Sequence, residues 1–193
     1  MTQQKGQWHL IKAMRVLQDK YKFADFKLII LGCGELHKSL ENLIDILDLN
    51  NCVEMVGFVN DPQTYFLNGD LFVFPSLCEG LGNVLVEAMS CGIPIISTDC
   101  PHGPRELLAP KTDCRKVSST NEKEEFGILI PPFATEAEDF VNTEISKAEE
   151  NLADVIYETL MNSEMRNKYS KKSIERSKNF AIENIVDQWM SII

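Results

Sequence analysis

The sequence predicts an α/β chain, a parallel sheet with helices on both faces. Short apolar runs at 26–31, 52–56, 70–74, 93–98 and 127–130 are strand-like. They alternate with stretches of helical spacing at 8–21, 36–47 and 83–90, and glycine, proline or asparagine stands at most of the joints. Alternation of this kind builds right-handed βαβ units, and strands that read as continuous apolar runs belong to a sheet buried on both sides.

The elements follow in order. The first helical stretch leads to the strand at 26–31, which ends in the turn Gly32-Cys33-Gly34. The second strand runs into Val56-Gly57-Phe58-Val59. The run Leu71-Phe72-Val73-Phe74 is bounded by Asp70 and Pro75 and reads as a buried strand. After it, Val84, Leu85, Ala88 and Met89 mark one face of a helix that Gly92 follows as a C-terminal cap. Arg105-Glu106 opens a short helix, and 109–125 is a polar excursion expected to be mobile. From Thr135 the chain is expected to be helical to its end, with Ile145, Leu152, Val155, Ile156 and Leu160 on an apolar face. A final helix from Ile182 carries Ile185, Val186, Trp189, Ile192 and Ile193. The expected organisation is one domain over 1–193, with 135–193 as a helical segment packed on it.

Composition narrows the function classes. At 193 residues and 44% hydrophobic content the chain can bury a sizeable core. Its net charge of −10 argues against binding nucleic acid, which relies on clustered Lys and Arg. The basic stretch 168–178 has the spacing of a solvated helix face. His9, His37 and His102 lack metal-ligand spacing, the six cysteines form no C-x-x-C pair, and no D-x-D occurs, so no metal and no cofactor is expected. Cys52, Cys78 and Cys91 are expected to pack as small apolar residues in a reducing compartment. Gly32-Cys33-Gly34 matches the dinucleotide fingerprint only in part, since His37 replaces its third glycine.

The chemistry concentrates in Glu79-Gly80-Leu81-Gly82-Asn83-Val84-Leu85-Val86-Glu87. Gly80 and Gly82 fall at a strand-to-helix turn, where amides are free, no Cβ blocks a ligand, and the helix dipole favours an anion. Two carboxylates beside an anion need neutral hydroxyls to hold. Glu87 lies about 7–8 Å along the helix, a separation that suits two sugar rings on either side of a diphosphate.

This string resembles the donor-site signature of family four of the retaining glycosyltransferases, of GT-B architecture. Lys5-Gly6, Gly32-Cys33-Gly34, Val56 to Val59, Gly127 to Ile130 and the terminal helix with Trp189 extend the resemblance, in order, over nearly the whole chain. It implies a Rossmann-like, donor-binding C-terminal domain. Glu79, the catalytic candidate, would contact hydroxyls of the transferred sugar and Glu87 the ribose. The amides of Gly80, Leu81 and Gly82 would face the diphosphate, Lys5 would bind phosphate, and the backbone near Gly57 and Phe58 would line the base pocket. Leu81 stands where the family usually has phenylalanine, and the family's arginine several residues before the lysine has no counterpart.

The resemblance implies a retaining, metal-independent transfer of a hexosyl group from a nucleotide-sugar to a glycan or lipid-linked acceptor, as in bacterial surface polysaccharide synthesis. It also implies partners: an amino-terminal GT-B domain, and a first strand that Met1-Thr2-Gln3-Gln4 does not supply. A gap is therefore expected between 26–31 and 70–74, unless those strands pair directly. The chain is expected to be a truncated product or fragment, and a form with that strand to be more stable. The expected location is the cytoplasm, with peripheral association at the inner face of the membrane allowed for a full-length enzyme. The alternatives are a nucleotide-sugar epimerase-like domain and a non-catalytic binding or assembly module.

Overall fold

The computed structural model describes residues 1–23, 25–134 and 142–190. A 3-10 turn, Gln3–Lys5, leads into α1 (Gln7–Tyr21), followed by β1 (Leu28–Leu31), α2 (His37–Ile46), β2 (Val53–Gly57), α3 (Gln63–Asn68) and β3 (Phe72–Phe74). Then come α4 (Asn83–Ser90), β4 (Ile95–Thr98), α5 (Pro104–Leu108), β5 (Glu122–Lys123) and β6 (Ile128–Ile130). The last helices are α6 (Lys147–Met161), α7 (Ser163–Ser177) and α8 (Ile182–Met190), with a 3-10 turn at Lys178–Phe180.

The strands form two sheets. β1 pairs with β2, and the other sheet runs β3-β4-β6-β5, parallel except for the antiparallel β5–β6 edge. β1 and β3 do not pair, so the expected gap is present. Alternation along β4 and β6 sorts their side chains to opposite faces. Ile96, Ile128 and Ile130 join the core beneath α1 and α6, whereas Ile95 and Leu129 join Leu85, Met89 and Leu107 from α4 and α5. This sheet is covered on both sides. The β1–β2 pair is not: Ile29 is 39% exposed and Glu54 faces solvent, because a two-stranded ribbon has no neighbouring strands to shelter it.

A buried ionic cluster ties α1 to α6. Glu149, capping the start of α6 through the Ser146 amide (2.6 Å), accepts from or pairs with His9 Nδ1 (2.8 Å) and lies 3.6 Å from Lys12 Nζ. Burial works against the Glu149 charge, yet His9, the Ser146 amide and Lys12 together hold its carboxyl below the ordinary range. His9, isolated in sequence, is thus a packing residue stacked on Phe133.

Three expectations need correction. Residues 135–141, where the last helical region was to begin, lie outside the described residues, but 142–146 are irregular and α6 starts at Lys147. Polar residues in the approach delay the helix until Ser146 and Glu149 can cap it. The excursion 109–125 is anchored rather than loose, as the Arg105 contacts below explain. Cys78 is exposed on the turn, while Cys52 is buried as expected and Cys91 is half-buried. In α8, Ile182, Val186 and Trp189 are exposed, and Ile192 and Ile193 lie outside the described residues.

Candidate functional site

The candidate site is built where β3 ends and α4 begins. After Phe74 the chain turns through Pro75 to Gly82, and the Glu79 amide donates to the Pro101 carbonyl (3.3 Å). Gly82 (φ 79°) is the residue before α4. Among the described residues the amides of Gly80, Leu81 and Gly82 donate to no group of the chain, and a side chain at Gly80 would meet only open space. Free amides at the start of an eight-residue helix make a region of positive potential.

Lys5 is delivered to this turn from the far end of the sequence. Gly6 adopts φ 61°, and a Cβ there would run into the Pro75 carbonyl oxygen. The Gln4 carbonyl accepts the Leu77 amide (2.8 Å), and Gln4 Nε2 donates to the Cys78 carbonyl (2.7 Å). Held in this way, Lys5 Nζ lies 2.7 Å from Glu79 Oε1 and 5.6 Å from the Phe74 ring centre. The Glu79 side chain is 7% exposed and that of Lys5 is 39% exposed, so the carboxylate is recessed and the ammonium covers it.

The opposite wall is 101–103. Gly103 (φ 90°) packs against Leu81 so closely that a Cβ would strike the Leu81 carbonyl, and its amide donates to Glu106 Oε1 (3.4 Å). Behind it Arg105, 3% exposed, binds Asp99 Oδ2 (2.5 Å), Glu122 Oε2 (3.1 Å) and Ser118 Oγ (2.7 Å), and the Ser118 amide donates to the same Asp99 oxygen (2.6 Å). This network pins the 109–125 excursion and creates β5. Burial would raise the Glu122 carboxyl, but Lys116 and Arg105 pull it down from 4.5 to about 2. Burial likewise pushes the Cys100 thiol up to about 11, leaving it an inert packing group.

The structure therefore brings Lys5, Glu79, Gly80, Leu81 and Gly82 together. Gly57 and Phe58 stand apart from them in topology, at the carboxyl end of β2 in the other sheet, where the Gly57 carbonyl accepts the Gly32 amide (2.7 Å). Phe58 is 74% exposed. Glu87 is exposed on α4 and, among the described residues, its side chain makes no ion pair or hydrogen bond. Sequence reasoning missed Gln4 and the Asp99–Arg105 support. The only cue was Arg105 beside Glu106 at a helix start, because its partners at 99, 118 and 122 meet it through tertiary folding.

Comparisons with known proteins establish family and fold. The family described as Glycosyl transferases group 1 matches residues 1–143. A glycosyltransferase of Methanocaldococcus jannaschii is 39% identical over 195 residues, which cover 100% of this chain and 47% of that protein. A Campylobacter jejuni N-acetylgalactosaminyltransferase acting on a diphospho-undecaprenol-linked acceptor is 37% identical over 106 residues, covering 55% of this chain and 26% of that one. Among solved structures, Anabaena HepE in complex with UDP superposes with a TM-score of 0.74 at 21% identity, over 100% of this chain and 46% of that one. The likeness is one of fold, a GT-B glycosyltransferase. The chain spans about half the length of the curated relatives that match it end to end. A family match over most of the chain and a relative aligned along all of it lead to one conclusion: the chain belongs to the glycosyl transferases group 1 family.

Proposed function

We propose that this chain is the donor-binding half of a glycosyltransferase that moves a hexosyl group from a nucleoside diphosphate sugar to a glycan or lipid-linked acceptor. The observation that carries the reading is the Lys5–Glu79 pair beside the unpaired amides of Gly80, Leu81 and Gly82. A diphosphate would sit at those amides, and Lys5 would swing from Glu79 to a phosphate oxygen. That exchange releases the Glu79 carboxylate to accept hydrogen bonds from sugar hydroxyls. Positive potential from amides and one ammonium serves the role that a metal would otherwise fill. The base would lie on the exposed Phe58 ring near Gly57, and Glu87 would hold the ribose.

Uridine is the first base to test, since the Anabaena neighbour was solved with UDP. The Campylobacter enzyme, and relatives named for amylovoran and capsular polysaccharide synthesis, support a surface-polysaccharide role. No described helix is long and apolar enough to cross a membrane, and we place the protein in the cytoplasm with its acceptor supplied at the membrane face.

The test is a melting-temperature series with UDP-, GDP- and ADP-sugars on the wild type and on Glu79→Gln and Glu87→Ala. A donor at a hundredfold over its Kd adds about 2.7 kcal/mol. A shift with one base class that shrinks in both variants is expected. Equal shifts in all three proteins would sink the assignment of these carboxylates, and no shift with any sugar nucleotide would move the binding-module reading ahead.

A further inference from the structure

A cavity of 260 Å³ shares no residue with the candidate donor site. It is walled by the rings of Trp8, His9 and Phe133 and bounded by Ser146, Lys147 and Ala148 at the start of α6. Its volume lies below the ~300–1,000 Å³ of a small-molecule pocket, so it suits a compact group.

His9, 7% exposed, brings to this cavity a polar atom that folding has left unsatisfied. Its Nδ1 meets Glu149 Oε1 (2.8 Å), and an ionised carboxylate only accepts, so Nδ1 carries a proton. Glu149 does not line the cavity, which leaves the opposite edge of the ring, with Nε2, to face it. Among the described residues Nε2 is buried without a hydrogen-bond partner. An orphaned buried polar atom costs free energy, and a partner held in the cavity removes that cost.

The start of α6 fixes the sign of that partner. The amides of Glu149 and Glu150 donate to the Ser146 carbonyl, whereas those of Lys147 and Ala148, the first two residues of this 15-residue helix, donate to no described group. Free amides at a helix start favour an acceptor, and Lys147 adds a cation. Of the carboxylates nearby, Glu149 is already answered by Lys12 (3.6 Å) and by the Ser146 amide, and Glu144 and Glu150 are exposed. A water molecule would satisfy Nε2 and leave the charge of Lys147 and the helix dipole unused. An oxyanion meets all of them, with His9 donating from both nitrogens as a cation between Glu149 and the anion.

We propose that this cavity binds one free oxyanion of the phosphate type, held by the first amides of α6, Lys147 and a doubly protonated His9. Binding is therefore coupled to the charge on His9, and the groups that face that ring are Glu149 and Lys147 of α6 and Lys12 of its own helix. The aromatic walls keep bulk water away, which strengthens each charged hydrogen bond. The inference is independent of donor binding.

The experiment is titration calorimetry with sodium sulfate, a dianion throughout the pH range used, against a constant background of chloride. One sulfate per chain is expected, bound about tenfold more tightly at pH 6 than at pH 8, the window in which an imidazole changes charge. Nitrogen-resolved NMR of the His9 ring should show a proton on Nε2 that becomes slow to exchange only when sulfate is present. His9→Gln should abolish the pH dependence. Should that variant fail to fold, Lys147→Pro carries the test: proline is accepted at the first helical position, and Ser146 before it is extended (ψ 164°), so the fold should survive by circular dichroism while one amide and the cation are lost. Its sulfate affinity should fall about tenfold. No binding at about 100 mM sulfate, far weaker than the millimolar range of a weak specific ligand, equal affinity in Lys147→Pro, or an Nε2 signal indifferent to sulfate would each overturn the proposal, the last two by showing adventitious binding elsewhere on the surface.

Discussion

The two sheets make a natural comparison. Every residue of β4 and β6 is buried, while β1 exposes Ile29 and β2 is mostly half-buried. The four-stranded sheet is sandwiched between α1 and α6 on one side and α4 and α5 on the other, and the Arg105 network fastens its loop. Among the described residues the β1–β2 ribbon has a free edge. The candidate site straddles this difference. The proposed phosphate end, Glu79 to Gly82, grows from the well-packed sheet, and the proposed base end, Gly57 and Phe58, from the ribbon. If the proposed function holds, the diphosphate would be anchored on the better-packed sheet and the base on the less sheltered one, a division that sequence alone would not suggest.

The largest test removes the fastening. Arg105→Ala leaves Asp99, 1% exposed, as a buried unpaired charge, and a loss of about 3–5 kcal/mol is expected in urea unfolding. A loss under about 1 kcal/mol would mean that the network does not distinguish this half. Next in size is the contrast itself, read by amide exchange. Leu28, Ile30 and Met55 should exchange at least about a hundredfold faster than Ile96, Ser97 and Leu129, a difference of about 2.7 kcal/mol in opening free energy. Equal protection would show the two sheets to be one cooperative unit.

A smaller effect separates the halves by pH. Glu122 titrates at about 2 when folded against an ordinary 4.5, held down by Lys116 and Arg105 against burial. A depressed carboxylate stabilises the fold above its unfolded value. Its contribution, of order 1–3 kcal/mol, is present above about pH 4.5 and is lost as pH falls towards 2. Glu122→Gln should flatten the stability profile in that window without altering exchange in β1 and β2. If the profile keeps its slope, other carboxylates carry the acid sensitivity.

Legibility in the sequence follows the same divide. The continuous apolar runs at β4 and β6 announced buried strands, whereas β3, which read as buried too, has Phe74 buried but Phe72 and Val73 half-buried, since it pairs on one side only among the described residues; α4 lies where its periodicity and Gly92 placed it. β1 read as equally buried, because Leu-Ile-Ile-Leu looks the same whether or not a neighbouring strand exists. β5 was invisible: Glu122-Lys123 has no strand character and pairs only because Arg105 draws its loop against β6. α3 did carry a cue, since Asp61-Pro62 is a helix-start signal and Asp61 Oδ1 accepts the Gln63 amide (3.1 Å). At the site, the glycine turn was readable from local pattern. The approach of Lys5 to Glu79 across 74 positions was legible only through resemblance, because nothing local at Lys5 marks it as a ligand-facing residue.

The smallest effect probes the soft end of the site. Phe58 is 74% exposed and makes no ring contact with another described aromatic, so Phe58→Ala should change the melting temperature of the free chain by less than about 1 °C, in keeping with the ±0.5 kcal/mol of an ordinary surface change. If the base stacks on that ring, the same substitution removes about 1 kcal/mol of affinity and raises the Kd for the sugar nucleotide about fivefold. Titration calorimetry with UDP and with uridine separates the two ends. The loss should persist with uridine, which has no phosphates to reach Gly80–Gly82. Glu79→Gln should leave uridine affinity unchanged. An equal loss of uridine binding in both variants would mean that the base lies over the β3–α4 turn rather than over the ribbon, and the division of labour between the two sheets would fail.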